Sequence, residues 1–244
     1  MRKINFILLA LTLNSFPGIF AAQLSTADTL AFITKNYSDN NSDSTVFITI
    51  DYPQIENKNN DTVITKINKF LEDEFKQTIT WYDEIVADTT NSPEYARENP
   101  YTLDTGYQVV YNSKEFISLI FSHYQYTGGA HGNYFAAGYN INMSDGSVLT
   151  LNDIINEGSF DLLAYECEES VLETYQANSL MDAGLFENEI SLTSDQDFYI
   201  IPGSLVLQFD PYEIGPYAMG EITAEIPFEK ISDILKENLP FPTN

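Results

Sequence analysis

The sequence of 244 residues predicts an α+β fold: a mainly antiparallel sheet with helices packed on one face, organised as two sub-units in one compact chain. β-prone segments come in runs and helical segments are segregated from them, whereas a doubly wound fold would alternate the two. The pair Asp145-Gly146 separates two such segments and is a strong hairpin signal. Apolar residues make up 43% of the chain and aromatic residues 14%, which is enough to bury a full core.

The first 22 residues have the layout of a secretory signal peptide. Arg2 and Lys3 precede an apolar run, Ile4–Leu13, that is too short to span a bilayer, and Ala21-Ala22 offers a small-residue cleavage point. We expect cleavage after Ala21 or Ala22 and a mature protein that is periplasmic or secreted. No other segment of the sequence predicts a membrane span.

The N-terminal unit, residues 23–105, is predicted to combine a strand with one helix. Asn36–Ser44 is dense in Asn, Asp and Ser and is predicted to be a loop. Thr45–Tyr52 alternates polar and apolar residues and then reaches a proline, as a strand does. Asp61 is placed to cap a helix whose apolar stripe runs to Phe75 and should cover one face of the sheet.

The C-terminal unit, residues 106–244, follows a stretch of turn formers at 88–105 and is predicted to hold most of the strands. One helix is predicted at Ser159–Gln176 and a shorter one at Phe228–Leu235. The predicted strands are Gly106–Tyr111, Glu115–Tyr126, Tyr134–Met143, Ser147–Leu151, Phe198–Ile201, Ser204–Phe209 and Glu221–Ile226.

The chain is strongly acidic, with 36 Asp and Glu against 11 Lys and Arg. Removal of the leader takes away Arg2 and Lys3 and lowers the net charge from −25 to −27. Such a chain repels nucleic acid and anionic lipid and attracts cations and basic proteins, which argues against nucleic-acid binding. Two interpretations of the charge stay open: steering toward a basic partner, or solubility alone.

Cys167 is the single cysteine, so the chain cannot form an internal disulfide. It shares a helical stripe with Leu163, Val171 and Tyr175, and its nearest charged neighbours are glutamates. A nucleophilic cysteine needs a basic and accessible setting. Cys167 is therefore predicted to be a buried small hydrophobe.

Two aromatic segments run into glycine-rich corners: YQYTGGAHGN at residues 124–133 and YEIGPYAMG at residues 212–220. Glycine allows backbone at positive φ, and we expect it at Gly128 or Gly129. If the two corners meet, their tyrosines form a rigid platform that can anchor a protein interface or stack on sugar rings. The candidate binding residues are Tyr124, Tyr126, His131, Asn133, Tyr134, Tyr212 and Tyr217. The glycines that shape the corners are Gly128, Gly129, Gly132, Gly215 and Gly220.

These segments, with the run DGSVLTLNDI at residues 145–154, resemble the extracytoplasmic domain of RsiV-type lysozyme-sensing anti-sigma factors and the N-terminal module of PdaC-type peptidoglycan deacetylases. The resemblance covers roughly residues 106–236, and residues 45–100 fit the smaller portion that often precedes this domain. Neither an anti-sigma cytoplasmic segment nor a deacetylase domain with its Asp/His metal motif follows. The resemblance therefore implies the module without catalytic or cytoplasmic parts, and a lysozyme-like muramidase as its ligand.

The two histidines, His123 and His131, are the first candidates for a metal site. His123 falls on the strand face of Ile117, Leu119 and Phe121, which favours a core histidine over a ligand. His131 is expected to fix the glycine corner by hydrogen-bonding backbone, or else to contact a partner. The residues around Asp145 do not fit the calcium loop of an EF-hand, so we expect no metal and no cofactor. Diffuse calcium binding by acidic loops such as 182–189 stays open.

No catalytic residue is predicted, because the sequence has no Gly-x-Ser-x-Gly elbow, no Cys–His pair and no H-E-x-x-H motif. Asp210 and Glu213 lie in an aromatic, glycine-lined setting, but turn hydrogen bonds would explain them equally. The sequence thus predicts an exported, non-catalytic recognition module for a cationic protein such as a lysozyme-like muramidase. A peptidoglycan- or glycan-binding module is the alternative, and an unrecognised carboxylate-based hydrolase is the second alternative.

Overall fold

The computed structural model describes residues 29–91 and 93–243, so the predicted leader lies outside the described residues. The strands are β1 (Phe32–Asn40), β2 (Val46–Ile55), β3 (Tyr101–Asn112), β4 (Phe116–Tyr126), β5 (Asn133–Asn142), β6 (Ser147–Val148), β7 (Phe198–Ile201), β8 (Ser204–Phe209) and β9 (Ile222–Pro227). The helices are α1 (Thr62–Asn91), α2 (Pro93–Glu98), α3 (Leu151–Ile154), α4 (Phe160–Tyr175) and α5 (Phe228–Ile231). Among these helices, none combines the length and apolarity that a membrane crossing needs.

The strands form two sheets. Six strands lie in the order β1-β2-β3-β4-β5-β6, and three lie in the order β7-β8-β9. Every neighbouring pair is antiparallel except β2 and β3, which are parallel. The long connection through α1 and α2 makes that parallel pairing possible, because a hairpin turn cannot join parallel strands. The predicted α+β class with a mainly antiparallel sheet is confirmed.

The two faces of the six-stranded sheet are covered differently. On one face α1 packs Ile67 and Leu71 against apolar side chains of β4, as predicted for this helix. On the other face lies the second sheet, whose Tyr199 and Val206 pack against Val110 of β3. Helix α4 then covers the second sheet. The expectation of helices on one face describes α1 but not α4, because the strands divide between two sheets.

The N-terminal helix begins where the sequence predicts it. The Asp61 carboxylate accepts hydrogen bonds from the backbone N–H groups of Val63 (2.7 Å) and Ile64 (3.1 Å), which is the geometry of an N-cap. These bonds satisfy two N–H groups that have no partner within the helix. The predicted cap at Asp61 is confirmed.

The predicted loop at Asn36–Ser44 is wrong in its first half, because Asn36–Asn40 belongs to β1. β1 is an edge strand whose residues are mostly exposed, so its backbone pairing with β2 requires no apolar pattern. β2 also continues through Pro53 to Ile55. A proline is tolerated there because the pairing of β2 with β3 ends at Ile50.

Smaller differences concern the segments after β5. Only Ser147 and Val148 of the predicted strand 147–151 pair with β5, and Leu151 begins α3. The Asp153 carboxylate accepts hydrogen bonds from both the backbone N–H and the hydroxyl of Thr150, which favours a helix start over a longer strand. The helix predicted at Phe228–Leu235 is shorter and ends at Ile231.

The predicted division between residues 105 and 106 falls inside β3. This strand pairs with β2 through Thr105 and with β4 along most of its length. The change of sheet comes later, between β6 and β7. The units 23–105 and 106–244 stay a prediction.

A buried polar contact joins the two sheets. The Ser118 hydroxyl on β4 donates to Asn140 Oδ1 on β5 (2.7 Å), and Asn140 Nδ2 donates to the carbonyl of Phe198 on β7 (2.8 Å). The backbone N–H of Ile200 in turn donates to Ser118 Oγ (3.0 Å). Ser118 and Asn140 are fully buried, so each bond satisfies a group that would otherwise lose its water partners.

The close approach of the sheets also depends on Gly138. A Cβ at this position would lie 1.9 Å from the carbonyl oxygen of Phe198, far inside contact distance. Only glycine leaves room for the backbone of β7 to cross β5 at this point.

Asn140→Ala should lower the free energy of unfolding by about 3 kcal/mol, because it removes the acceptor of the buried Ser118 hydroxyl and a donor to the Phe198 carbonyl. Urea unfolding of the purified protein measures this change. Asn152→Ala, at an exposed asparagine of α3, is the control and should cost less than about 0.5 kcal/mol. Equal losses in the two variants would contradict a structural role for the contact.

Cys167 is fully buried, as predicted, and packs in the core between α4 and the second sheet. Burial raises the pKa of its thiol, so the reactive thiolate is scarce at neutral pH.

We expect a thiol reagent to label Cys167 in the folded protein at least about a hundredfold more slowly than in the urea-unfolded chain. Labelling at the same rate in both states would contradict burial.

Candidate partner-binding surface

The two glycine corners meet in the structure. The hydroxyl of Tyr217 donates a hydrogen bond to the carbonyl of Gly132 (2.6 Å), and the rings of His131 and Tyr217 stack with centroids 4.1 Å apart. Tyr217 starts a short 3₁₀ turn, Tyr217–Met219, just before β9. The second corner is therefore fixed to the first by one hydrogen bond and one ring contact.

Five rings gather around this junction, and we call them the tyrosine surface: Tyr124, His131, Tyr134, Tyr212 and Tyr217. The rings of Tyr134 and Tyr212 each lie 5.7 Å from the ring of Tyr217, which is thus at the centre. Tyr212 is 56% exposed and Tyr124 is 40% exposed. Exposed rings held by neighbouring rings lose little freedom on binding, which is the property of an interface anchor.

Glycines allow this arrangement in two ways. Gly128 has φ of +82°, as expected for one of the adjacent pair, and the Tyr95 hydroxyl of α2 donates a hydrogen bond to its carbonyl. At Gly132 the constraint is space, because a Cβ there would lie 2.5 Å from the Tyr124 ring. In the second corner Gly220 has φ of +77°, and a Cβ on Gly215 would meet Ile222 at 2.8 Å.

Two candidate residues lie away from the centre of the tyrosine surface. Asn133 pairs with Gln125, and the alternation of side chains along β5 places it on the opposite sheet face from Tyr134. Tyr126 lies on the same strand face as Tyr124, at the end of β4. The binding roles of all the candidate residues stay proposals.

The two histidines occupy opposite faces of the sheet. His123 is half-buried with its ring stacked on Phe135 at 4.5 Å, and burial lowers its pKa to about 4. It is therefore neutral at physiological pH, as a core histidine is. His131 is exposed on the tyrosine surface, and its Nδ1 lies 2.9 Å from the carbonyl of Gly132. In the described part of the chain, no group of three or more His, Cys, Asp or Glu side chains is placed to hold a metal ion.

Two carboxylates accept hydrogen bonds in and next to the second corner. Asp210 Oδ1 accepts a hydrogen bond from the backbone N–H of Ala136 (3.0 Å), and Glu213 accepts one from the N–H of Asp210 (2.8 Å). Partial burial raises the pKa of Asp210 to about 6. Glu213 thus has the turn-forming role that the sequence suggested as one explanation, whereas the Asp210 carboxylate joins the corner to β5.

Sequence reasoning missed Glu221, which follows the second corner. Burial, and then the negative charge of Asp210, raises the pKa of Glu221 to about 7. The available signal was its position directly after Gly220, where the chain passes from the corner into β9. A carboxyl with this pKa changes its charge within the physiological pH range.

The fold and this surface define an α+β module with a cluster of exposed aromatic rings on one face. Two family models match successive parts of the chain: Deacetylase PdaC over residues 39–134, and a protein family of unknown function (DUF3298) over residues 152–229. The chain is therefore similar to PdaC-type modules, with the PdaC match preceding the DUF3298 match along the sequence. The resemblance to RsiV-type anti-sigma factors stays a prediction.

Individual relatives agree with this assignment. The chain is 24% identical over 193 residues to the peptidoglycan-N-acetylmuramic acid deacetylase PdaC of Bacillus subtilis, a match that covers 77% of the chain and 38% of that enzyme. Its fold is similar to the crystal structure of a DUF3298 family member from Bacteroides fragilis, with a TM-score of 0.72, 19% identity, and coverage of 88% of this chain and 96% of that one. A DUF3298 family protein from Pseudomonas aeruginosa has a TM-score of 0.65, 17% identity, and coverage of 89% and 99%.

Gly128→Val should destabilise the protein by about 2–3 kcal/mol, because valine resists positive φ and its side chain would collide with Tyr95. Gly129→Val and Ala130→Val should each cost less than about 1 kcal/mol. A Cβ at Gly129 would make only an ordinary contact at 3.7 Å, and Ala130 is exposed. Thermal unfolding compares the three variants. Equal melting temperatures would contradict the requirement for positive φ and for space at Gly128.

Glu221→Gln should stabilise the protein increasingly as pH rises. The folded state holds the Glu221 proton up to about pH 7, whereas the unfolded chain loses it near 4.5, so ionisation in this window destabilises the wild type. The difference in free energy of unfolding should be near zero below pH 4.5 and reach about 1–2 kcal/mol at pH 8. A flat profile for Glu221→Gln would refute the raised pKa.

Proposed function

We propose that this chain is an extracytoplasmic, non-catalytic recognition module that binds a cationic protein of the lysozyme-like muramidase class at the tyrosine surface. The observation that carries the proposal is the meeting of the two corners, which presents exposed rings on a fixed support. Aromatic anchors held in place before binding supply most of the free energy in many protein interfaces.

The charge around the tyrosine surface supports a basic partner. Neither corner segment contains a lysine or an arginine, while Asp210 and Glu213 lie in or beside the second corner. The whole chain carries a net charge of −25. A cationic protein would be drawn to this surface at long range and would then place its own apolar groups against the rings.

A glycan ligand is the second candidate. The Bacillus subtilis relative is named as a peptidoglycan deacetylase, and an exposed ring such as Tyr212 can stack on a sugar. The carboxylates beside the rings favour the cationic protein over this candidate, because they would repel the anionic groups that cell-wall polymers carry. The dependence of binding on ionic strength distinguishes the two candidate ligands. Charge-driven binding of a cationic protein weakens steeply as ionic strength rises, whereas stacking on a sugar hardly changes.

The hydrolase alternative would need a carboxyl pair of the kind that glycosidases use. Asp210 and Glu221 are close enough for the charge of one to raise the pKa of the other. Asp210 already accepts a structural hydrogen bond from Ala136, which explains its burial without catalysis. Release of soluble fragments from purified sacculi by the protein, and loss of that release in Glu221→Gln, would favour a hydrolase over a recognition module.

Tyr212→Ala should weaken muramidase binding by about 2 kcal/mol, roughly a thirtyfold rise in Kd, because it removes the most exposed tyrosine of the tyrosine surface. Tyr165→Ala is a matched control: Tyr165 lies on α4 and is also 56% exposed. It should leave the affinity unchanged. Titration calorimetry at low and moderate salt measures both variants with the same cationic muramidase.

Three outcomes separate the proposals. Equal loss of affinity in both variants, or in neither, would show that the partner binds elsewhere on the acidic surface. Absence of saturable muramidase binding even at low salt would reject the protein partner. Binding to purified sacculi that persists at high salt and is lost in Tyr212→Ala would then establish the glycan candidate.

A further inference from the structure

Beside the tyrosine surface lies a small cavity that the proposed function does not use. It is formed by the segment between α4 and β7 and by the second corner, and its volume is about 150 Å³. Its apolar wall consists of Leu180, Leu185, Ile190 and Ile214. Ile214 stands in the second corner between Tyr212 and Tyr217, so the cavity and the tyrosine surface share one segment.

The wall of the cavity is held by backbone hydrogen bonds rather than by packing alone. The N–H of Phe186 donates to the carbonyl of Ile214 (2.9 Å), and the N–H of Leu185 donates to the carbonyl of Leu180 (3.0 Å). On the far side, the N–H of Ile190 donates to the Glu168 carboxylate of α4 (2.7 Å). The cavity is therefore formed before any ligand arrives, which reduces the entropic cost of binding.

The charged side chains that line the cavity are both acidic. Glu187 and Glu189 are exposed at its rim, while Leu180, Leu185 and Ile190 are at most 5% exposed. A ligand that is apolar along its length and positively charged at one end matches both the wall and the rim, whereas an anion would be repelled. An apolar cavity of about 150 Å³ accepts a group of about six heavy atoms, such as benzene.

We infer that this cavity binds the butylammonium group of a lysine side chain presented by the cationic partner, with its methylenes against the Leu and Ile wall and its ammonium between Glu187 and Glu189. The inference rests on the proposed function and adds a determinant of specificity to it. The tyrosine surface would supply the general anchor, and the cavity would select a partner that presents a lysine at a fixed distance from it.

A small-molecule probe tests the cavity without any partner protein. We expect n-butylammonium, titrated into isotopically labelled protein, to shift the amide resonances of Leu185, Ile190 and Ile214 with saturation in the millimolar range. The double variant Glu187→Gln/Glu189→Gln should weaken this binding at least about fivefold. Neutral n-butanol should bind more weakly than the ammonium to the wild type and equally to both proteins.

Each other outcome of the probe contradicts the inference. No saturable shift with either probe would show that the cavity does not bind an alkyl group. Equal affinity for butanol and butylammonium would make it an apolar site without charge selection. A butylammonium affinity unchanged in the double variant would remove the two glutamates from the site.

Muramidase binding tests the same site in its proposed context. Glu187→Gln/Glu189→Gln should lower the affinity at least about tenfold. The control Glu84→Gln/Asp88→Asn removes the same charge from exposed positions of α1, across the six-stranded sheet from β7, and should lower it less than about threefold. Ser191→Phe, which places a ring at the cavity lining, should weaken binding without removing charge.

The proposed function and the proposed lysine site can be refuted independently of each other. If n-butylammonium binds but no muramidase does, the cavity stands and the proposed partner is wrong. If the muramidase binds through Tyr212 but the glutamate and control double variants lose equal affinity, the proposed function stands and the lysine site is overturned.

Discussion

The contact between the two sheets is the constraint on which the rest of the structure depends. β5 lies at the line where they meet, and it pairs with β6 at only two residues, so much of its outer edge would expose unpaired backbone groups. Side chains of the second sheet bind this edge instead: Gln208 donates to the carbonyl of Ala136, Asp210 accepts from its N–H, and Asp197 accepts from the N–H of Gly138. With the Ser118–Asn140 contact, they fix the register of the two sheets.

This register determines where the tyrosine surface forms. The first corner continues into β5 and the second corner continues from β8, so joining β5 to the second sheet brings the two corners together. Asp210 lies two residues before the second corner, and its hydrogen bond to Ala136 fixes the start of that corner two residues from Tyr134. Tyr217 then closes the junction through Gly132. The rings of the tyrosine surface are thus positioned by the fold itself.

Much of the fold was predictable from the sequence because its signals are local. Strands β3 to β5 and β7 to β9 show alternating or apolar runs bounded by turns, and Asp61 marks the start of α1. β1 could not be predicted, because an exposed edge strand needs no apolar alternation. The separation into two sheets also has no local signal, since it depends on polar contacts such as Asn140 with Phe198, which are 58 residues apart.

For the candidate site too, the features with a local signal in the sequence were predictable and those that depend on long-range packing were not. Glycine and tyrosine density indicated the two corners, but the sequence left open whether they meet, which the structure shows that they do. Asn133 shows the limit of that reasoning, because proximity in sequence does not settle on which face of a strand a side chain lies. Glu221 and the cavity were missed for a different reason: the raised pKa and the cavity both arise from tertiary packing, and the segment 177–197 has no periodic pattern.

Hydrogen–deuterium exchange of the protein with and without a cationic muramidase tests the central claim most directly. If the corners form the binding surface, amides in residues 128–134 and 212–220 should exchange more slowly in the complex, while exposed amides at the ends of α1 and α4 should be unchanged. Protection centred on α1 or β1, with both corners exchanging as in the free protein, would contradict the account. That result would mean that the partner recognises acidic charge elsewhere on the molecule and not the rings that the joined sheets hold in place.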